Sequence, residues 1–285
     1  MKSDPECLVC LLKQALNTVR IASDDVAMHR EVLNHVAEEI PGADLSRSPA
    51  DISTIVYRIV SQVTGVADPY AEIKKRTNRE ALLMLPYLRE IMSAASDTLD
   101  AVLHIAVSGN IIDFGIGHDY DLKKDVKEIL NTKFIINDIG DFKEELRPGR
   151  KLLYLGDNSG EIVFDRMLVE ELLRYGVDIT FVVKSGPVIN DAMMEDAEEA
   201  GITKLVPVIE SGSNDIGVNF NNVSDEFRKT FDDSDVIVAK GHGNFETCSD
   251  QPGNFCFLLK SKCDVVAREL GIRKGDIAFK RSFHS

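Results

Sequence analysis

Glycine is spread unevenly along this chain, and that spacing limits the fold more than any single motif does. Residues 1–108 contain only Gly42 and Gly65, whereas 109–285 contain the other 17 of 19. A glycine inside a helix costs about 1 kcal/mol relative to alanine, so a long glycine-poor segment with helical spacing reads as all α. Leu11, Leu12, Ala15, Leu16 and Val19 form one apolar stripe; Val26, Leu33, Val36, Ala37 and Ile40 form another, ending at Pro41-Gly42. Ser48-Pro49 with Asp51 opens a third helix through Ile52, Ile55, Val56, Ile59 and Val63, stopped at Gly65. Further helices are expected at about 70–84 and 86–108 by the same spacing. Residues 1–108 are thus expected to form an N-terminal helical domain.

The period changes in the glycine-rich part. Short apolar runs, Lys151 to Leu155, Asp178 to Val183, Lys204 to Ile209 and Asp235 to Ala239, each end in a polar loop containing glycine and then an amphipathic helix. Phe134-Ile135-Ile136 is an earlier run of the same kind. Unalternating strands interleaved with helices mark a parallel sheet covered on both faces. Residues 109–285 are therefore expected to form a Rossmann-like three-layer α/β/α domain, with 109–133 coupling it to the helices.

Composition narrows the function. A net charge of −14 argues against nucleic acid or an anionic membrane as partner, both of which require clustered Lys and Arg. Small molecules are the expected partners, and an anionic one would need a local cation to enter so acidic a protein. Five cysteines at low density, with no leader-like or membrane-spanning run, fit a cytoplasmic protein.

Ligands of a doubly wound sheet bind beyond the carboxyl ends of its strands, so the loops after the runs are the place to look. Asp157, Asn158 and Asp191 offer two carboxylates and an amide oxygen, a hard-oxygen set suited to Mg²⁺ or Mn²⁺ that does not exclude Co²⁺ or Ni²⁺. Lys184-Ser185-Gly186 and Lys240-Gly241 each place a cation beside glycine where a helix begins, an arrangement that can hold phosphate. Asn244 lies in the second of these loops and is a further candidate phosphate contact. His242 has no histidine at ligand spacing and reads as a loop residue. The chain lacks a Gly-rich loop ending in Gly-Lys-Ser/Thr, a dinucleotide fingerprint and a Gly-x-Ser-x-Gly elbow.

At these residues the sequence resembles the metal-dependent damage-control phosphatases, the family long known as domain of unknown function 89, which includes the human acidic-residue methyltransferase 1-like protein. The resemblance rests on Cys7-Leu-Val-Cys10, Ser108-Gly109-Asn110-Ile111-Ile112-Asp113, Gly156-Asp157-Asn158-Ser159-Gly160-Glu161, Gly186 to Asp191, and Lys240-Gly241-His242-Gly243-Asn244-Phe245-Glu246. The Cys-x-x-Cys start looks like the small microbial and archaeal subfamily. The resemblance implies a helical cap on a Rossmann-like domain, a divalent cation held by Asp157, Asn158 and Asp191, and phosphorylated metabolites as substrates. It further implies that Asn110 and Asp113 line the site and that Lys240 contacts the transferred phosphoryl group. A substrate-binding acid of larger relatives would fall on Glu161 or Asp165.

The expected reaction is metal-assisted hydrolysis of a phosphomonoester. The cation would neutralise the phosphoryl group and acidify a water, Lys240 and loop N–H groups would bind the oxygens, and Asp191 or Glu161 would orient the water. A non-catalytic sensor of a phosphorylated metabolite is the alternative from another class, and a carboxyl methyltransferase is weaker for want of a cofactor loop. A third reading makes Cys7 and Cys10 a soft-metal or redox pair, against a structural role at the start of a helix.

Overall fold

The computed structural model describes residues 1–109 and 130–284. The expected site residues Asn110 and Asp113 lie outside the described residues.

The first three helices form where their caps say they should. In α1 (Pro5–Ala22), Asp4 accepts from Glu6 N at 2.9 Å and the Cys7 thiol accepts from Asp4 N at 3.4 Å, closing a capping box. Helix α2 (Val26–Glu39) starts on Asp25, and α3 (Pro49–Thr64) starts on Ser48, whose hydroxyl accepts from Asp51 N at 3.1 Å. Gly65 ends α3 at φ +70°, a left-handed conformation that glycine adopts without a Cβ clash. Leu11, Ala15, Val19, Val32, Val36, Val56 and Val60 close a core of their own between these helices. Truncating a residue such as Leu11 to alanine there costs about 2–5 kcal/mol.

The next helices differ from expectation. Helix α4 (Ala71–Ala94) runs unbroken through Pro86, and α5 (Thr98–Gly109) follows. A proline forfeits one helical hydrogen bond, and here burial of Met84 and Leu88 on either side of Pro86 keeps the helix continuous. Helix α5 is buried from Ala101 to Gly109, with its polar His104 and Ser108 bonded to backbone carbonyls. Both join the core beneath the sheet, not that of α1–α3. Packing therefore divides ahead of α4, well before the change in glycine content at residue 108.

Strands β1 (Phe134–Asn137), β2 (Lys151–Leu155), β3 (Asp178–Val183), β4 (Val208–Glu210), β5 (Val236–Lys240), β6 (Gly253–Lys260) and β7 (Ile277–His284) form one sheet in the order β1-β7-β6-β5-β2-β3-β4. Strand β4 is shorter than the run that announced it, because Ile202–Lys204 is a turn of 3₁₀ helix. Strands β4-β3-β2-β5-β6 are mutually parallel, whereas β7 pairs with β6 antiparallel and with β1 parallel. The sheet is thus mixed, with the doubly wound order in its parallel part.

Alternate strand residues face two layers. Leu152, Tyr154, Phe181, Val236, Val238 and Leu258 meet α4, α5 and three further helices, α6 (Ile139–Glu145), α7 (Glu161–Leu173) and α8 (Met194–Ala200). Leu153, Leu155, Val182, Ile237, Ala239 and Phe257 meet the other layer, which includes α9 (Asp225–Asp232), α10 (Gly241–Cys248) and α11 (Asp264–Leu270). The winding reverses between β2 and β5, so the loops after these two strands diverge and leave a crevice at the sheet edge.

Candidate active site

The loop after β2 carries Asp157 and Asn158 into that crevice. Ser159 N and Oγ donate to Asn190 O at 2.8 and 3.0 Å, Ala192 N donates to Asp157 O at 2.8 Å, and Asn158 pairs with Asp191 as an isolated bridge. The loop after β3 is in this way stitched to the loop after β2, bringing Asp157, Asn158 and Asp191 together although more than thirty residues separate them. Asn78 of α4 fixes the other end of the first loop, accepting from Gly160 N at 2.6 Å while donating to Asp196 and Glu199.

Asp157 is packed tightly against the start of α10. A Cβ on Gly241 would lie 1.8 Å from Asp157 Oδ2, and Gly241 sits at φ +77°, so both space and backbone require glycine there. The carboxylate thus lies at a helix N-terminus, where negative charge is favoured. Burial nevertheless lifts the Asp157 carboxyl well above its usual range, reinforced by the charges of Glu161 and Asp191. Asp191 is pushed up to about 6 by burial, against the pull of Lys184, whose Nζ lies 3.6 Å from Asp191 Oδ2.

The expected phosphate contacts are distributed differently. Lys240 is wholly buried and donates to Ala106 O at 3.1 Å, to Asp165 Oδ1 at 2.6 Å and to Glu161 Oε1. Its three N–H groups are bonded to internal partners in the structure, where the resemblance has it contact a phosphoryl group. Burial alone would lower the Lys240 ammonium, but the Asp165 and Glu161 carboxylates overcome it and hold it above the ordinary lysine range. Glu161 and Asp165 are both fully buried in this pair, with Tyr154 donating to Asp165 at 2.8 Å, so neither is open to a ligand. Glu161 does touch the site from beneath, accepting from Asn158 Nδ2 at 3.5 Å.

Lys184 is also buried, donating to Asp215 O at 2.9 Å and to Gly217 O. Asn244 spends its amide on Gly156 O and Lys240 O, tying the ends of β2 and β5 together. Ser185 is exposed and accepts from Gly212 N, and Gly186 abuts Asn214; both belong to the neighbouring loop contact. Asn244 thus shapes the site without presenting a donor to it, whereas Lys184 keeps its ammonium beside Asp191.

What faces Asp157, Asn158 and Asp191 is a cavity of about 630 Å³ roofed by the helical layer. Gln14 and Asn17 of α1, Tyr57 of α3 and Tyr70 supply a neutral polar wall, and Tyr57 donates to Gln14 at 3.2 Å. Lys262, in the loop after β6, lines the same cavity, is exposed, and draws the Asp157 carboxyl down more strongly than Lys240 does. Sequence reading passed Lys262 over because β6 was not recognised; the signal was present, since Lys260-Ser261-Lys262 leads into α11 as Lys184-Ser185-Gly186 leads into its own loop. Cys7, Cys10 and Cys263 line the cavity too, as free thiols; burial raises the first and last.

Among the described residues, no three His, Cys, Asp or Glu side chains converge closely enough to hold a metal by themselves. Two carboxylates with an amide oxygen are nonetheless a donor set of the hard-oxygen type, completed in such sites by water and substrate. The residues present therefore fit a Mg²⁺-like ion chemically.

Comparison with known proteins agrees with this architecture. The family model described as the damage-control phosphatase ARMT1-like domain matches residues 3–278. Damage-control phosphatase PH1575 of Pyrococcus horikoshii is 33% identical over 99% of both chains, and a damage-control phosphatase of Archaeoglobus fulgidus is 34% identical over 98% of this chain and 99% of its own. The crystal structure of the Pyrococcus protein superposes with a TM-score of 0.91 at 34% identity, covering 99% of each chain.

Proposed function

The chain belongs to the damage-control phosphatase ARMT1-like family, and on that premise we propose that it hydrolyses phosphomonoesters of small metabolites in the cavity below α1 and α3. The observation that carries this reading is the stitched pair of loops, which sets Asp157, Asn158 and Asp191 along one side of the cavity, with Lys262 also on its wall. A divalent cation, Mg²⁺, Mn²⁺, Co²⁺ or Ni²⁺, held by Asp157, Asn158 and Asp191 would neutralise the phosphoryl group and acidify a water.

The remaining work falls to the chain. Lys262 binds a phosphoryl oxygen, supplying the positive charge that a protein of net charge −14 otherwise withholds from an anionic substrate. Asp191 orients the attacking water, because Glu161 is tied to Lys240. The Lys240–Glu161–Asp165 group holds the floor beneath Asn158, and Gly241 lets α10 approach the Asp157 carboxylate. The hydroxyl and amide wall of Gln14, Asn17, Tyr57 and Tyr70 receives the leaving group. Five free cysteines support a reducing, cytoplasmic setting, and none of the described helices is long and apolar enough to cross a membrane.

Phosphate release from a panel of sugar and nucleotide monophosphates, with each metal and with EDTA, tests the proposal. Turnover that needs metal and disappears in Asp191→Ala is expected. Turnover that survives chelation would sink metal dependence, and binding without phosphate release would favour a sensor.

A further inference from the structure

One backbone outlier adjoins the proposed metal loop. Among the described non-glycine residues only Ile189 has positive φ, at +47°. It is the second residue of the Val188–Asp191 turn, closed by Asp191 N donating to Val188 O at 3.1 Å. A turn with positive φ at that place ordinarily takes glycine, and a β-branched residue there is strained by about 1–3 kcal/mol. Such strain persists only where the surroundings enforce it.

Here the surroundings are identifiable. Val188 and Ile189 pack with Ala50 and Tyr57 of α3 and with Ile216 in a small apolar cluster. Ile216 N donates to Thr54 Oγ1 of α3 at 3.1 Å, so the same helix grips the next loop as well. Ile189 also lines both the 630 Å³ cavity and a second cavity of about 330 Å³, and so belongs to the wall shared by the two. The residue after it, Asn190, supplies the carbonyl that holds Ser159, and the one after that is Asp191.

We infer that Ile189 is a positioning residue for the metal site: its side chain, packed with Tyr57, holds the strained turn that presents Asp191 to Asp157 and Asn158. Helix α3 thereby sets the affinity of the site for its cation without contributing a ligand. This rests on the reading of Asp157, Asn158 and Asp191 as metal ligands.

The test is Mn²⁺ binding to the full chain by titration calorimetry, with the melting temperature of the metal-free protein measured alongside. Ile189→Ala keeps the positive-φ strain and removes the wedge, so it is expected to weaken Mn²⁺ binding roughly tenfold or more, whereas Ile189→Gly, which adopts positive φ without a wedge, should keep most of the affinity while the metal-free protein melts no lower than wild type. Tyr57→Ala should weaken binding in the same direction, and Ile189→Val, which keeps a β-branched wedge, should retain wild-type affinity. Wild-type affinity in Ile189→Ala, or a loss in Ile189→Gly as large as that in Ile189→Ala, overturns the inference. Asp191→Ala separates the two readings: if it abolishes binding, the ligand assignment stands and the contrast between Ile189→Ala and Ile189→Gly decides. If the wild-type protein does not bind Mn²⁺, both fall.

Discussion

Two groups of lysine and carboxylate sit a few residues apart in this molecule and have opposite character. Around Lys240, Glu161 and Asp165 are sealed from solvent, and every ammonium proton has a partner. Around Lys262, Asp157 and Asp191 line a cavity, and the lysine is exposed. The first group resembles a buried ion pair, with the ammonium fully paired and Asp165 Oδ2 left without a partner among the described residues. The second opens onto the cavity: Lys262 is exposed there, while Asp191 is held by the buried Lys184 at 3.6 Å. Closeness of opposite charges therefore does not mark a reactive site; opening onto a cavity does.

The comparison can be broken most forcefully at Lys240. Lys240→Met would leave two buried carboxylates facing each other without a counter-charge, and a loss of about 3–5 kcal/mol in denaturant unfolding is expected. A variant that folds as well as wild type but no longer turns over substrate would move Lys240 into the chemistry.

Lys262→Met should do the reverse. Its stability should stay within about 0.5 kcal/mol of wild type, because the side chain is exposed. Its kcat/KM should fall by about 10²-fold, the usual loss on removing one preorganised donor from a developing oxyanion. Unchanged kinetics would return the phosphate contact to an unassigned group.

Glu246 sharpens the contrast in a milder way, as a buried carboxyl on the cavity wall whose partners are the Ala50 backbone and, at 3.8 Å, His242. Burial pushes it up to about 8 from an ordinary 4.5. The fold therefore binds this proton more tightly than the unfolded chain does. Its contribution to stability is complete below pH 4.5, declines as pH rises toward about 8, and has gone above that. Glu246→Gln should remove that slope and unfold at higher denaturant than wild type above the window, by about 1–3 kcal/mol. Parallel pH profiles for the two proteins would contradict it.

The smallest effect concerns Cys7. Cys7→Ala removes the thiol that closes the α1 capping box and should cost about 1 kcal/mol by thermal melting. A larger loss of turnover than of stability would show that the cavity-facing thiols take part in function.

Much of this was legible in the sequence. Ser48-Pro49 and Gly65 bound α3 where the structure has it, and the strand runs led to the loops that hold Asp157, Asn158 and Asp191. The internal pairing of Lys240 has a geometrical reason that was not legible in the sequence. As the last residue of β5 it shares the parity of Val236 and Val238, and so points under α5 and α7 toward Ala106, Glu161 and Asp165. A strand's two-residue alternation is readable from sequence, but which parity faces which layer depends on packing partners elsewhere in the chain. Pro86 misled similarly, since its local penalty is visible and the burial of Met84 and Leu88 is not. Strand β6 went unread although Phe255-Cys-Phe-Leu-Leu is as apolar as its neighbours, and with it went Lys262.

The crevice at the reversal of winding has a consequence for the order in which the protein comes into being. Its walls come from the ends of β2, β3, β5 and β6, so the site spans contacts remote in sequence and exists only when the sheet is almost complete. A chain emerging from synthesis holds Asp157 and Asp191 long before Lys262 follows, and contacts of such long range close late in folding. Phosphate-ester recognition is thus withheld from the growing chain, and occupancy of the cavity by a ligand would selectively stabilise molecules that have finished folding.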